Sequence, residues 1–202
     1  MSNYWQKNTL FFIFDSLACL NSCMNSVRQK QQLRNYIIPL VTENFDQPLC
    51  VTLSEKQQIV ETDTSNLRKN RFIQYVERID DIKSSTNLRH CLNRLNSKIY
   101  RNAFDRYKSK RLFVLPVRES DAQKRHHLHL LVNRPPHICE NDFRELFFMC
   151  WHQTPFAYEN NQIAPPYKSK EQYAEYMLKF RTKKNLLDAV DIENLYLQTP
   201  PT

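Results

Sequence analysis

The chain has 202 residues, and none of them is glycine. A Walker A phosphate loop and a dinucleotide-binding fingerprint both need glycine, because there the backbone bends tightly or approaches a phosphate closely. Neither motif is present in the sequence. The chain is therefore expected to use no nucleotide cofactor.

Long apolar runs are also missing. The nearest candidate is TLFFIFDSLACL at residues 9–20, which is interrupted by Asp15. A helix needs about 20 apolar residues to cross a bilayer, and this segment falls well short of that. We interpret it as a buried amphipathic helix, with a secretory signal behind Lys7 as the alternative, and we expect no membrane association.

Cysteines in metal-binding or disulfide patterns are lacking as well. The six cysteines are scattered, and only Cys19 and Cys23 are close together, at a spacing that no second pair repeats. We therefore predict neither a zinc finger nor a disulfide framework. Free thiols that pack as small apolar side chains are typical of a reducing compartment, which indicates a cytoplasmic protein.

Positive charge is what the sequence has in excess. The 29 Lys and Arg residues outnumber the 21 Asp and Glu residues, for a net charge of +8. Such a balance favours a polyanionic partner, and nucleic acid fits better than a membrane. Arg68, Lys69 and Arg71 form a basic cluster in 55–83, a charged stretch without a clear period. We interpret this stretch as a solvated loop, with a DNA-facing excursion as the alternative.

A second basic feature lies on a predicted helix at 87–108. Its apolar residues recur at helical spacing: Leu88, Leu92, Leu95, Ile99 and Ala103. Arg94 and Arg101 fall away from this apolar stripe. They are candidate contacts to nucleic-acid phosphates.

The other predicted elements are short strands and amphipathic helices. The patterns predict strands at 48–54, 111–117, 125–132 and within 156–166, and helices at 140–153 and from Ser169 to about Arg181. The strands at 111–117 and 125–132 are expected to form an antiparallel hairpin. This order predicts an α+β fold, with a central antiparallel sheet, helices packed mainly on one face and the other face left for a site.

The domain organisation follows from the same pattern. We predict a central domain at 47–185. It is preceded by a loosely attached N-terminal helical extension at 1–46 and followed by a C-terminal tail at 186–202.

Histidines interrupt the apolar strand at 125–132. Because side chains alternate along a strand, His127 and His129 share the face opposite to Leu128. Two imidazoles at positions i and i+2 are close enough to hold one metal ion. His127 and His129 are therefore candidate metal ligands, with partly exposed strand histidines as the alternative. His126 points to the Leu128 face and is left out of the site.

Two tyrosines on the last predicted helix differ in their helical positions. Tyr173 falls within the apolar arc, so it is expected to pack. Tyr176 falls at the border of the arc beside Lys179, so its hydroxyl is expected to emerge next to an ammonium group. The alternative is an ordinary boundary tyrosine with a solvated lysine one turn on.

A His-apolar-His strand followed by Tyr-x-x-Lys on a helix resembles the HUH endonuclease superfamily, and within it the rolling-circle replication initiators. The first motif of those proteins would be Cys50-Val51-Thr52-Leu53-Ser54, the second His127-Leu128-His129, and the third Tyr176-Met177-Leu178-Lys179. The resemblance spans residues 48–180 and implies an HUH-type nicking domain.

The resemblance implies a metal-dependent, site-specific endonuclease that nicks and rejoins single-stranded DNA to initiate rolling-circle replication. Tyr176 would be the nucleophile that forms a 5′-phosphotyrosine, and Lys179 would lower its pKa or hold the phosphate. His127 and His129 would bind Mg²⁺ or Mn²⁺ with an acidic residue. Glu119 is our choice for this third ligand, and Asp121 is the alternative.

The implied partners are single-stranded DNA or a nicking-site hairpin at a replication origin, and the helicase and polymerase of a prokaryotic host. Two other functions stay open. One is a single-strand transposase of the same superfamily, which also has a tyrosine after the histidines. The other is a non-catalytic DNA-binding regulator on the same scaffold.

Overall fold

The computed structural model describes residues 26–63, 73–106, 110–120, 126–179 and 189–197. The helices are α1 (Ser26–Asn44), α2 (Asp81–Tyr100), α3 (Asn102–Asp105), α4 (Glu140–His152) and α5 (Lys170–Met177). The strands are β1 (Pro48–Ser54), β2 (Gln58–Asp63), β3 (Ile73–Arg78), β4 (Val114–Ser120), β5 (His126–Asn133) and β6 (Gln162–Ala164). The predicted helix at 9–20 lies outside the described residues, and so do Arg68, Lys69, Arg71 and Asp121.

The central sheet has the strand order β4-β5-β1-β6, and each neighbouring pair is antiparallel. This confirms the α+β class and the hairpin of the second and third predicted strands. β4 begins and ends later than its predicted bounds, because Arg118 to Ser120 continue the ladder opposite His126 to Leu128. β6 is the short edge strand expected within 156–166.

The first face of the sheet packs against α2 and α4. Leu128, Leu130 and Val132 project to this side and are fully buried with apolar side chains of both helices, among them Leu95 of α2 and Trp151 of α4. Burial of this continuous apolar layer stabilises the packing of the two helices on the sheet. The stabilising free energy is about 25 cal/mol for each Å² of apolar surface removed from water.

The second face is also covered, so the prediction that it is left open is wrong over most of its length. Leu115, Val117 and Leu131 project to this side and are fully buried with α1, α5 and residues 189–197. The physical reason is that apolar side chains alternate to both sides of β4 and β5. A sheet with two apolar faces needs a layer on each.

The segments before and after the predicted central domain supply part of this second layer. Leu33 and Ile37 of α1 are buried there, and Arg34 forms a 2.7 Å ion pair with Glu175 of α5. Residues 189–197 follow the outer edge of β4, where Val190 pairs with Val117 through the backbone. Residues 26–46 of the predicted extension and 189–197 of the predicted tail pack in the core of the domain, so this part of the extension is not loosely attached.

The described residues within 55–83 do not form the plain loop that the sequence suggested. β2 and β3 pair as a separate antiparallel hairpin, with Val60 and Val76 opposite each other and exposed. α2 then begins at Asp81, earlier than predicted, because the Asp80 side chain accepts a hydrogen bond from the Lys83 amide and caps the helix. The sequence did not predict these short strands, because the stretch is charged and has no clear apolar period.

The predicted helix at 87–108 also ends early. α2 stops at Tyr100 and the short α3 begins at Asn102, and the residue between them, Arg101, has a φ of 46°. This is the left-handed region that favours glycine, and among the described residues Arg101 alone adopts it. A chain without glycine therefore breaks this helix at an arginine.

No helix in the described ranges is long and apolar enough to cross a membrane. The cysteines in those ranges have free thiols: Cys50, Cys91, Cys139 and Cys150.

A buried polar network ties the start of α2 to the end of β1. The Glu55 carboxylate is 4% exposed and accepts a 2.7 Å hydrogen bond from the Ser84 hydroxyl. Asp191 is also buried and accepts a 2.9 Å hydrogen bond from Ser85. Burial raises the pKa of Glu55 to about 7 from 4.5, although hydrogen bonds to Ser84 and Asn87 oppose the rise.

This raised pKa predicts a stability that falls with pH. The folded pKa of Glu55 lies above the unfolded value, so stability decreases as pH rises from 4.5 to about 7, by about 3 kcal/mol in total. Glu55→Gln should remove most of this decrease and unfold at higher urea concentration than the wild type at pH 8. Urea unfolding at pH 5 and pH 8 tests the prediction. Glu145→Gln, on the exposed side of α4, is the control and should keep the pH dependence of the wild type. An unchanged pH dependence of stability in Glu55→Gln would contradict the prediction.

Candidate active site

The site lies where the second face of the sheet changes from apolar to polar. Two adjacent rows run across β1, β5 and β4: Thr52, His129 and Val117, then Ser54, His127 and Glu119. Paired residues in neighbouring antiparallel strands project to the same side. The structure therefore places Glu119, His127 and His129 together on the same polar end of one face.

His129 is held through both nitrogens of its ring. Its Nε2 atom lies 3.0 Å from Glu119 Oε2, and its Nδ1 atom lies 3.3 Å from Thr52 Oγ1. The Nδ1 atom of His127 lies 3.5 Å from Ser54 Oγ. Each imidazole thus has its Nδ1 turned towards a hydroxyl of β1, which leaves Nε2 as the nitrogen for other partners.

His126 projects to the other side of β5, as its alternation predicts. Its Nδ1 atom is 4.0 Å from Asp81 Oδ1 at the start of α2.

The last helix brings Tyr176 and Lys179 to the histidines. α5 starts at the predicted cap, where the Ser169 hydroxyl accepts a hydrogen bond from the Gln172 amide, and it is anchored by the buried Ala174 and Met177. It ends at Met177, before the predicted Arg181, so Lys179 follows the helix.

Tyr176 is half-exposed beside His129. Its ring meets the His129 ring edge-on, with centroids 6.5 Å apart. The Lys179 ammonium lies 3.9 Å from the centroid of the Tyr176 ring. The sequence placed this cation next to the hydroxyl, whereas the structure places it over the ring, where it interacts with the π-face.

Tyr173 is the more buried of the two tyrosines, as its helical position predicts. Its ring stacks on Tyr176 with centroids 6.3 Å apart, and its hydroxyl is hydrogen-bonded to Thr52. Burial raises the pKa of Tyr173 well above its usual range. A buried phenol that holds its proton so firmly is a poor nucleophile, so Tyr173 is better suited to packing than to attack.

The donor set fits a hard divalent cation. Two imidazoles and a carboxylate are a known combination for first-row metals, and carboxylate oxygen suits Mg²⁺ and Mn²⁺. No three His, Cys, Asp or Glu side chains in the described ranges are spaced as a complete metal site. Glu119 is bonded directly to His129 instead. His127, His129 and Glu119 have the donor atoms to hold the ion, and the contact between Glu119 and His129 would have to open for it.

The predicted nucleic-acid contacts on α2 do not join this site. Arg94 is exposed on α2, which covers the first face, and Arg101 is exposed directly after the end of α2, whereas the histidines project from the second face. Lys98 lies one turn after Arg94 on α2, and none of Arg94, Lys98 and Arg101 forms an ion pair with a described residue. This basic surface is thus separated from Tyr176 by the thickness of the sheet.

We expect this basic surface to contribute to DNA affinity by binding phosphates. A variant with Arg94→Gln, Lys98→Gln and Arg101→Gln should bind DNA more weakly. Its plot of log affinity against log salt should flatten by about 0.7–0.9 for each phosphate that is no longer neutralised. Arg144→Gln is the control, because that guanidinium is already paired with Glu140. Fluorescence anisotropy at several salt concentrations measures the slope for the wild type and for each variant. Equal slopes for the wild type and the triple variant would contradict the assignment of this surface to phosphate binding.

Two residues of the site were not assigned from the sequence. Thr52 and Ser54 belong to the first motif, but nothing in the sequence indicated that they contact the histidines. The available signal was their alternation with the apolar Val51 and Leu53 along a strand. Their pairing with His129 and His127 depends on the β1–β5 register.

No family model, no curated protein and no solved structure matches this chain. The function is therefore inferred from the chemistry of the site. The site has a half-exposed phenol, a cation beside it, and a histidine 6.5 Å from the phenol ring that contacts a carboxylate.

Proposed function

We propose that the protein is a metal-dependent, HUH-type endonuclease that nicks single-stranded DNA through a covalent 5′-phosphotyrosine, and thereby initiates rolling-circle replication. One observation supports this most strongly. Tyr176, which is distant from the histidines in sequence, lies edge-on to His129, while His129 contacts Glu119. A nucleophile next to a candidate metal site is what in-line attack on a phosphodiester requires.

Tyr176 is the group that reacts. Its Oη atom forms a bond to phosphorus, and the bond from phosphorus to the 3′ oxygen breaks. The phenol proton passes to solvent, and the 3′ oxygen takes up a proton to become a hydroxyl. The DNA 5′ end stays linked to the protein, and attack by a 3′-hydroxyl in the reverse direction rejoins the strand.

The neighbouring side chains stabilise charge during this reaction. A divalent cation, when bound by His127, His129 and Glu119, supplies electrophilic polarisation of the phosphate. Lys179 adds a positive charge next to the Tyr176 ring, where it favours the phenolate and the negatively charged phosphate. The Tyr173 ring stacks on the Tyr176 ring and helps to fix its orientation.

The proposal is consistent with a chain that has no glycine for a nucleotide loop. The covalent link conserves the phosphodiester energy, so rejoining needs no ATP. The DNA must enter as a single strand or an extruded hairpin, and a helicase and polymerase of a prokaryotic host would unwind and extend it. We place the protein in the cytoplasm of that host.

Incubation with DNA and Mn²⁺ tests the proposal directly. The full chain is mixed with a pool of single-stranded oligonucleotides of random sequence, denatured in detergent, and analysed for DNA that remains attached. We expect an adduct through the 5′ phosphate with a preferred sequence at the junction. Cleavage without an adduct would indicate water as the nucleophile and overturn the tyrosine mechanism. Neither adduct nor cleavage would overturn the proposed function.

A further inference from the structure

Thr52 contacts both a candidate metal ligand and a residue of α5. It lies on β1, between β5 and β6, directly opposite His129. Its hydroxyl is 3.3 Å from His129 Nδ1 and is also hydrogen-bonded to the hydroxyl of Tyr173. Because Tyr173 stacks on Tyr176, Thr52 connects a candidate ligand to the helix of the candidate nucleophile.

The Thr52 hydroxyl matters because it can influence which ring nitrogen of His129 carries the proton. A neutral imidazole has one N–H, and a cation can bind only the nitrogen that lacks the proton. Nε2 faces Glu119, so it is the nitrogen on the side of the other candidate ligands. For Nε2 to bind a cation, the proton of a neutral His129 must be on Nδ1, and Nδ1 then needs an acceptor.

A threonine hydroxyl suits both states of the ring. When Nε2 donates to Glu119, Nδ1 has a lone pair and accepts from the Thr52 hydroxyl. When the proton is on Nδ1, Thr52 Oγ1 accepts it, because the oxygen has two lone pairs as well as one proton. A second pair repeats the arrangement at 3.5 Å, between Ser54 and His127.

We infer that Thr52 is a positioning residue that orients the His129 ring and accepts its Nδ1 proton, so that Nε2 is presented to a divalent cation. This inference rests on the proposed function, because it concerns the metal ligands proposed there. Hydrogen-bond partners of metal-bound histidines typically contribute 10–100-fold to metal affinity.

Mn²⁺ affinity, measured by titration calorimetry on the full chain without DNA, tests the inference. Thr52→Val keeps the shape of the side chain and removes its hydroxyl, so the dissociation constant should rise about 10–100-fold. Thr52→Ser restores a hydroxyl and should stay within about threefold of the wild type, a difference of about 0.6 kcal/mol. Circular dichroism checks that both variants are folded.

The outcomes separate this inference from the proposed function. Equal affinity in wild type and Thr52→Val, or an equal loss in both variants, would overturn the role of the hydroxyl and leave the nuclease proposal intact. A wild type that binds no Mn²⁺ would overturn both the metal role and this inference.

The position of the His129 proton gives a second measurement. Long-range proton–nitrogen NMR spectra of protein with ¹⁵N-labelled histidine distinguish the two tautomers, and His129→Gln assigns the signal. We expect the proton on Nε2 without metal and on Nδ1 after Mg²⁺ is added. A His129 proton that stays on Nε2 after Mg²⁺ binds would contradict the inference.

Discussion

Tyr176→Phe should abolish both the nick and the covalent protein–DNA adduct, with a loss of cleavage on the order of a thousandfold or more, as expected when a nucleophile is removed. The substitution removes only a hydroxyl from a half-exposed ring. The stack on Tyr173 and the edge contact with His129 involve the ring, so the fold and single-strand binding should be retained. Gel analysis of labelled DNA after detergent treatment measures nick and adduct together.

Tyr173→Phe is the matched control one turn earlier on the same helix. It removes the hydrogen bond to Thr52 but keeps the buried ring. The cleavage rate should fall less than about tenfold, because one such bond contributes about 0.5–1.5 kcal/mol. An adduct peptide that mass spectrometry maps to Tyr173 would show that we chose the wrong tyrosine. An active double variant would mean that neither tyrosine is the nucleophile.

Lys179 provides a graded comparison with the nucleophile. Lys179→Ala should slow cleavage without abolishing it, because the ammonium assists through charge and forms no bond to phosphorus.

His127→Ala and His129→Ala should each abolish nicking and weaken Mn²⁺ binding by more than about 100-fold, since removing a ligand costs more than removing a hydrogen-bond partner of a ligand. Both side chains lie at the polar end of the second face and outside the apolar core, so the variants should fold. EDTA should have the same effect on the wild type. His126→Ala is the control, because that side chain projects towards Asp81.

The third ligand is tested in the same experiment. Glu119→Ala should need a much higher metal concentration for activity, because it removes the carboxylate that contacts His129. A metal titration unchanged by this substitution would shift the assignment to Asp121, which lies outside the described residues. Cleavage by the wild type that persists in EDTA would contradict any role for a metal.

The local elements of the fold were largely predictable from the sequence. Alternation placed Leu128 and His129 on opposite sides of one strand, and Ser169 marked the start of α5. The separation of Tyr173 from Tyr176 followed from helical geometry alone. These features depend on residues that are close in sequence, so they can be predicted from one sequence alone.

The β2–β3 hairpin and the early start of α2 were missed for a different reason. Short strands in a charged stretch have no strong apolar period, and the strand partners Gln58 and Arg78 are separated by a long intervening segment. The break at Arg101 was hidden because this chain has no glycine to mark a left-handed residue.

The sequence by itself determined which residue types are available for the site and on which side of each element they project. Only the tertiary structure decided that α1 and residues 189–197 cover the second face, that Arg94 and Arg101 lie on the opposite side of the sheet, and that Thr52 reaches both His129 and Tyr173. The physical reason is that strand register and helix docking minimise exposed apolar surface over the whole chain. Side chains that are distant in sequence meet only as a result of that global packing.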